Sequence, residues 1–310
     1  MDRLIITDVS PRDGLQNQDR FVDTADKLEL VRRLAAAGVE SVEAASFVSP
    51  RAVPQMADAA DVIRGLAGTR PRISALVPNL RGLERAIGAG VKEVAVVLAA
   101  TDEMNRRNIN MSLAEAIATC RDTLAAARAA GIATRAYIAV AFECPFEGRV
   151  STDAVLGSSQ ALLAAGADEL VVADTIGAAG PQEVRKLLGR LGSELPEARL
   201  AVHFHDTRGM GLANAYAALE AGVRRFDAST GGIGGCPFAP GAAGNLATED
   251  LVLMANRAGI ATGISLAGLV AAVDFAESVL RRPLGGRSIA WLRRSLQRNG
   301  LETDSMGAAS

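Results

Sequence analysis

The chain has 310 residues, 22% of them charged, and a formal net charge of −2, a balance that gives no footprint for a nucleic-acid groove or a polybasic membrane contact. Its three cysteines, Cys120, Cys144 and Cys236, lack any paired spacing, which argues against a disulfide framework or a CxxC zinc site. No apolar run reaches the roughly 18 residues of a membrane span, and the acidic N-terminus reads as neither signal nor transit peptide, so a cytoplasmic protein is expected.

In chain order, β-branched runs at Leu4–Asp8, Val39–Ala44, Arg72–Val77, Glu93–Leu98, Ala133–Val140, Glu169–Asp174, Arg199–Phe204 and Arg225–Ala228 predict strands. Between them, apolar periodicity predicts helices near 24–37, 55–67, 80–89, 112–130, 152–165, 181–193 and 209–221, with an eighth from Leu246. Five of these helices end in Ala-Gly followed by a strand residue, at Gly38, Gly90, Gly131, Gly166 and Gly222, a pattern suited to left-handed helix stops. Eight βα units over about 260 residues match an α/β fold of the (β/α)8 TIM-barrel type. A doubly wound sheet normally has fewer strands, and no GxGxxG follows the first strand here. The expectation is a catalytic barrel over residues 1–262 and a C-terminal helical extension over 263–310. Its helices, near 265–281 and 288–298, would pack on the barrel or form a partner contact, and a homodimer is expected. The tail from Glu302 reads as frayed.

Barrels of this kind carry their chemistry at the C-terminal ends of the strands, and the unusual residues of this chain fall there. Arg12, Asp13 and Gln16 follow strand 1, Glu43 ends strand 2, and Arg135 and Tyr137 lie on strand 5. Asp174 and Thr175 end strand 6, and His203 and His205 end strand 7. Strand 8 feeds a glycine-rich loop, Gly231 to Gly241, and then Asn245.

His203 and His205 are the only histidines, and a spacing of two puts both on one face of a strand, half of a metal site. With the Asp13 carboxylate and a neutral oxygen such as the Asn245 amide they suit Mg²⁺ or Mn²⁺, while zinc stays open on the histidines alone. Cys236, between Gly235 and Pro237, reads as an exposed thiol able to act as acid, base or nucleophile. Arg12 offers a cation for a developing enolate or a substrate carboxylate. Glu43 and Asp174 read as carboxylates that orient the arginine or the histidines. Arg106-Arg107-Asn108 reads as a solvated loop, Cys120 as helix packing, and Cys144 as a residue near the mouth without a chemical role.

Ser10-Pro11-Arg12-Asp13-Gly14-Leu15-Gln16-Asn17, Phe47-Val48-Ser49-Pro50-Arg51, His203-Phe204-His205-Asp206-Thr207, Gly234-Gly235-Cys236-Pro237-Phe238 and Gly244-Asn245-Leu246-Ala247-Thr248-Glu249-Asp250 together resemble the 3-hydroxy-3-methylglutaryl-CoA lyase family. The motifs stand in family order over roughly residues 4–262. The Arg-Asp-Gly and His-x-His pieces alone mark a wider superfamily that includes isopropylmalate and homocitrate synthases, and the Gly-Gly-Cys-Pro loop is the specific part.

The resemblance implies one Mg²⁺ or Mn²⁺ held by Asp13, His203, His205 and Asn245, and catalytic roles for Arg12, Glu43, Asp174, His203 and Cys236. Arg12, Gln16, Arg135, Tyr137 and Thr175 are expected to contact an acyl-CoA substrate. The implied reaction is cleavage of 3-hydroxy-3-methylglutaryl-CoA to acetyl-CoA and acetoacetate. Asp174 or His203 would take the hydroxyl proton, Arg12 would face the enolate, and Cys236 would protonate its carbon.

Where the family reads Tyr-Gly-Gln after the metal strand, this chain has Arg208-Gly209-Met210, which adds a positive charge there. Citramalyl-CoA and longer 3-hydroxy-3-alkylglutaryl-CoA esters are therefore alternative substrates. A condensing synthase would need a longer C-terminal domain, and a non-catalytic CoA-ester binder is at odds with the intact Arg12, Asp13, His203, His205 and Cys236.

Overall fold

In a computed structural model of the chain, residues 2–196, 199–235 and 244–299 are described. Eight parallel strands close into a barrel: β1 (Ile5–Asp8), β2 (Ser41–Ser46), β3 (Arg72–Leu76), β4 (Glu93–Ala99), β5 (Ala133–Ala139), β6 (Glu169–Asp174), β7 (Leu200–Phe204) and β8 (Arg225–Ala228). The ring closes where Ile5 and Thr7 of β1 pair with Arg225 and Asp227 of β8, and Thr7 also meets Ser41 of β2. Around it run α1 (Thr24–Ala36), α2 (Ala59–Gly65), α3 (Leu80–Ala89), α4 (Asp102–Ile109), α5 (Leu113–Ala129), α6 (Thr152–Ala164), α7 (Pro181–Glu194), α8 (Gly211–Glu220) and α9 (Thr248–Arg257). The (β/α)8 barrel expected from the sequence is therefore present. Among the described residues no helix is long and apolar enough to cross a membrane.

All five Ala-Gly stops adopt positive φ, from 70° at Gly131 to 98° at Gly166. In each case the next residue bonds back to a carbonyl five positions earlier: Val39 to Leu34, Val91 to Ala86, Ile132 to Ala127, Ala167 to Leu162 and Val223 to Ala218. These are Schellman closures. They also explain a difference from the sequence reading of strand 2. Val39 is tied into the end of α1, so β2 begins two residues later, at Ser41.

Two further differences have local causes. Arg106 and Arg107 lie on α4 rather than in a loop, and each closes an i,i+4 pair, with Asp102 at 2.5 Å and Glu103 at 2.6 Å. A two-residue hairpin, Glu143–Cys144 against Gly148–Arg149, follows β5. Strands that short carry no periodic signal.

The principal core lies between the barrel wall and the helices, with Leu34, Leu124, Leu191 and Leu251 fully buried. Inside the barrel, the small side chains of Ala95, Val171 and Ala201 surround Tyr137 and leave room for a column of charged residues. After the barrel, α10 (Leu266–Leu280) packs on α1, and α11 (Ile289–Asn299) packs on α10.

Candidate active site

The first site element is the turn after β1. Asp13 and Gly14 both donate backbone N–H groups to the Val9 carbonyl, at 2.8 and 3.3 Å, forming a wide helical turn over Ser10–Gly14. Such i→i+5 turns recur at functional sites. The Asp8 carboxylate anchors this turn to the glycine-rich segment opposite. It accepts bonds from the Ser10 N–H at 2.9 Å, the Thr230 N–H and hydroxyl at 3.0 and 2.6 Å, and the Thr248 hydroxyl at 2.8 Å.

The turn presents Arg12 and Asp13 side by side. Arg12 directs Nε and Nη2 to Oε1 of Glu43, and Nη1 to Oδ1 of Asp13 at 2.5 Å. A guanidinium has five N–H groups, so one on each terminal nitrogen is left for a ligand. Burial opposes its charge, but Glu43 and Asp13 outweigh that and raise its pKa, so it stays cationic. Glu43 lies at a register shift between β2 and β3, where a bulge re-aims a side chain. Gln16 donates to Asp13 Oδ1 at 3.0 Å.

β7 carries His203 and His205 to the same mouth. Ligand atoms of Asp13, His203 and His205 all lie within 4.8 Å of one another, and all three residues are buried. Asn245 joins them through an isolated antiparallel bridge to His205, and its Nδ2 donates to Asp13 Oδ2 at 2.8 Å. The backbone must pass very close to achieve this. A Cβ on Gly234, at φ 143°, would sit 2.3 Å from Asn245 Nδ2, and one on Gly244 would sit 2.0 Å from the Gly232 carbonyl. Glycine is therefore required at both positions.

The donors fit a divalent cation. Burial disfavours the Asp13 charge, but Arg12, then His203 and His205, hold its pKa below the ordinary carboxylate value. Burial and the neighbouring His203 push His205 down to about 4, which keeps it neutral and able to donate a lone pair. Asn245 Oδ1 and the Nδ1 atoms of both His203 and His205 are buried with no hydrogen-bond partner among the described residues. Orphaned buried polar atoms are rare and call for an occupant.

Below the mouth lies a group that the sequence reading did not single out. Asp227 of β8 stands 3.4 Å from Nδ1 of His203. Its Oδ1 accepts from Arg135 Nη2 at 2.7 Å and its Oδ2 from the Tyr137 hydroxyl at 2.5 Å. Arg135 also pairs with Glu169 at 2.7 Å, which meets Arg225 at 3.1 Å. Burial opposes the Asp227 charge, yet Arg135 and His203 bring its pKa well below the ordinary value. Burial raises the Tyr137 pKa, and Asp227 and Glu43 add to that against Arg135, so the phenol keeps its proton. Arg135 and Tyr137 thus sit inside the barrel, 2% and 4% exposed and bonded to carboxylates. A signal was available: strands of a parallel barrel are buried on both faces, so Glu169 and Asp227 within them had to be paired.

The other candidates are more dispersed. Ala173 pairs with His203 in the ladder, so the next residue, Asp174, alternates to the opposite face of β6. The Asp174 carboxylate accepts the N–H groups of Ala178 and Ala179 at 2.8 and 3.0 Å, and burial pushes its pKa up to about 6. Thr175 Oγ1 accepts the N–H of Val140 at 2.8 Å, a β-branched residue held at φ 49°. Cys144 is buried and accepts the Thr101 hydroxyl at 3.1 Å, while burial raises the Cys120 thiol to about 12. Arg208 is half exposed and lies 3.6 Å from Glu143. Cys236 lies outside the described residues, as does the tail from Glu302.

A family model described as HMGL-like matches residues 3–275. The crystal structure of an HMG-CoA lyase from Bacillus subtilis is 40% identical, with a TM-score of 0.91, covering 94% of this chain and 99% of that one. An HMG-CoA lyase from Acinetobacter baumannii, solved with coenzyme A and 3-methylmalate, is 38% identical with a TM-score of 0.88, covering 98% and 97%. An (R)-citramalyl-CoA lyase from Chloroflexus aurantiacus is 44% identical over 295 residues, 92% of this chain and 93% of that protein.

Proposed function

This chain belongs to the HMGL-like family and is a carbon–carbon lyase; we propose that it cleaves 3-hydroxy-3-methylglutaryl-CoA to acetyl-CoA and acetoacetate with one Mg²⁺ or Mn²⁺ held by Asp13, His203, His205 and Asn245. The observation that carries this reading is the meeting of those donors with the Arg12 guanidinium at one barrel mouth.

Retro-Claisen cleavage begins with loss of the proton on the tertiary hydroxyl. The C–C bond pair then passes into the thioester, the hydroxyl carbon becomes a ketone, and the enolate carbon takes up a proton. When bound, the cation supplies a Lewis acid for the oxygens of the substrate. Arg12 offers its two remaining N–H groups to the enolate oxygen, where a fixed charge is worth more than in water. Gln16 steadies Asp13 from the rim. Cys236, reached from the glycine-rich segment, donates the proton to the enolate carbon and is restored by solvent.

Asp174 is the candidate acceptor of the hydroxyl proton, because His203, with one nitrogen turned to the cation and an N–H on the other, has no lone pair left for it. Asp174, with its pKa pushed up to about 6 by burial, would give an acid limb near that pH in kcat. Loss of that limb in Asp174→Asn assigns the step to Asp174, and its persistence removes Asp174 from it.

Purified protein with Mn²⁺, assayed for acetyl-CoA, tests the substrate. Release from 3-hydroxy-3-methylglutaryl-CoA is expected. Silence on that ester with brisk release from citramalyl-CoA would keep the chemistry and replace the acyl group. The helices after residue 262 are read as an extension that contributes to a homodimer in the cytoplasm, which sedimentation of the full chain checks.

A further inference from the structure

The Asp227 carboxylate, 0% exposed at its side chain, faces Nδ1 of His203 at 3.4 Å. It is fixed from two sides, by Arg135 on Oδ1 and by the Tyr137 hydroxyl on Oδ2, at 2.7 and 2.5 Å. Arg135 also donates Nη1 to the phenol oxygen at 3.0 Å, so the single phenol proton is directed to the carboxylates. Oε2 of Glu43, the carboxylate that grips Arg12, lies 3.4 Å from that oxygen. The Tyr137 ring also stands edge-on to the His203 imidazole, 6.2 Å between centroids at 78°.

We propose that Asp227 is a positioning residue for His203, and that Tyr137 joins it to the Glu43–Arg12 pair so that the two halves of the mouth are held as one unit. The proposal rests on the reading of His203 as a cation ligand. An imidazole ligand offers a lone pair on one nitrogen and needs an acceptor for the N–H on the other. A carboxylate in that place fixes the tautomer and the ring angle and raises ligand basicity. Nδ1 of each imidazole is buried short of a formed hydrogen bond, but among the described residues only His203 has a carboxylate paired with it, Asp227 at 3.4 Å. Removing the Asp227 charge by itself leaves the buried Arg135 short of a counter-charge. Here every oxygen of Asp227 is engaged and aimed.

The test is Mn²⁺ binding to the full chain, followed by titration calorimetry and by the Mn²⁺ electron-spin-resonance signal, so that it does not depend on turnover. Asp227→Asn keeps the shape and removes the charge, and is expected to weaken Mn²⁺ binding about 10- to 100-fold. Tyr137→Phe removes one hydrogen bond to Asp227, and is expected to weaken it about 2- to 10-fold. Glu169→Gln breaks the column below Arg135 and is expected to lower the melting temperature with little change in Mn²⁺ affinity, which separates positioning from support of the fold. Wild-type affinity in a folded Asp227→Asn would overturn the proposal. Should that variant not fold, wild-type affinity in Tyr137→Phe overturns it on the same measure. A wild-type chain that takes up no Mn²⁺ would instead remove the premise that His203 is a ligand, and the proposal with it.

Discussion

Asn245 and His205 pair across an isolated antiparallel bridge, flanked by bonds from the Asp206 N–H to the Gly244 carbonyl and from the Leu246 N–H to the Phe204 carbonyl. The bridge brings the backbone of Asn245 beside that of His205, and it depends on the glycines that pass next to it. In Gly234→Ala the new methyl group meets Asn245 Nδ2, and the backbone keeps a conformation that costs a side chain about 1–3 kcal/mol. The expected result is an Mn²⁺ affinity at least about tenfold weaker, read by calorimetry, together with a lower melting temperature. Unchanged affinity would show that Asn245 is not held by this loop.

Removal of Arg12 has two separable effects. Arg12→Gln takes the fixed charge from the enolate, for which a fall of about 10²–10³ in kcat is expected. It also leaves Glu43, 0% exposed, without its counter-charge, a loss of about 3–5 kcal/mol in folding free energy for a broken buried pair. Urea unfolding and steady-state kinetics read the two independently. A variant that loses only stability would place Arg12 in the scaffold rather than in the chemistry.

Glu249 makes stability depend on pH. Its carboxyl accepts the N–H groups of Gly231 and Gly286 at 3.1 and 2.6 Å, and burial pushes its pKa from 4.5 to about 7. Between those values the folded chain holds a proton that the unfolded chain has released. Its contribution is therefore present at low pH and is lost as pH rises through about 7. Glu249→Gln should gain stability relative to the parent between pH 5 and pH 8, by on the order of 3 kcal/mol at most. Denaturant unfolding at the two pH values checks it. A constant difference would mean that the carboxyl is ionised throughout.

Cys236→Ala should abolish most acetyl-CoA release while Mn²⁺ still binds, because the thiol is assigned to proton delivery and not to the cation. Single-turnover assays and calorimetry on the same sample make the comparison. Near-parental turnover would remove the thiol from the mechanism.

Much of this arrangement could be read in the sequence, for identifiable reasons. The spacing of two between His203 and His205 survives as a shared strand face because β7 is regular up to Phe204. The Ala-Gly stops are equally local: each needs only one left-handed residue and one return bond, and all five form as expected. Asp13 and Asn245 were legible by their placement at strand ends, although 232 positions apart in the chain. Asp227, Glu169 and the depth of Arg135 were harder to read. Their partners come from β5, β6 and β8, so no window along the chain contains a pair. The hairpin after β5 was missed because two-residue strands have no period. The side of β6 on which Asp174 lies follows from register with β7, which becomes visible only once the barrel has closed.

The column Arg225–Glu169–Arg135–Asp227 has a consequence for how such a barrel can drift over evolutionary time. Exchanging any one member strands an opposite charge in a dry interior, whereas exchanging neighbours together keeps the lattice neutral. Compensated double replacements along this axis are the accessible route between relatives.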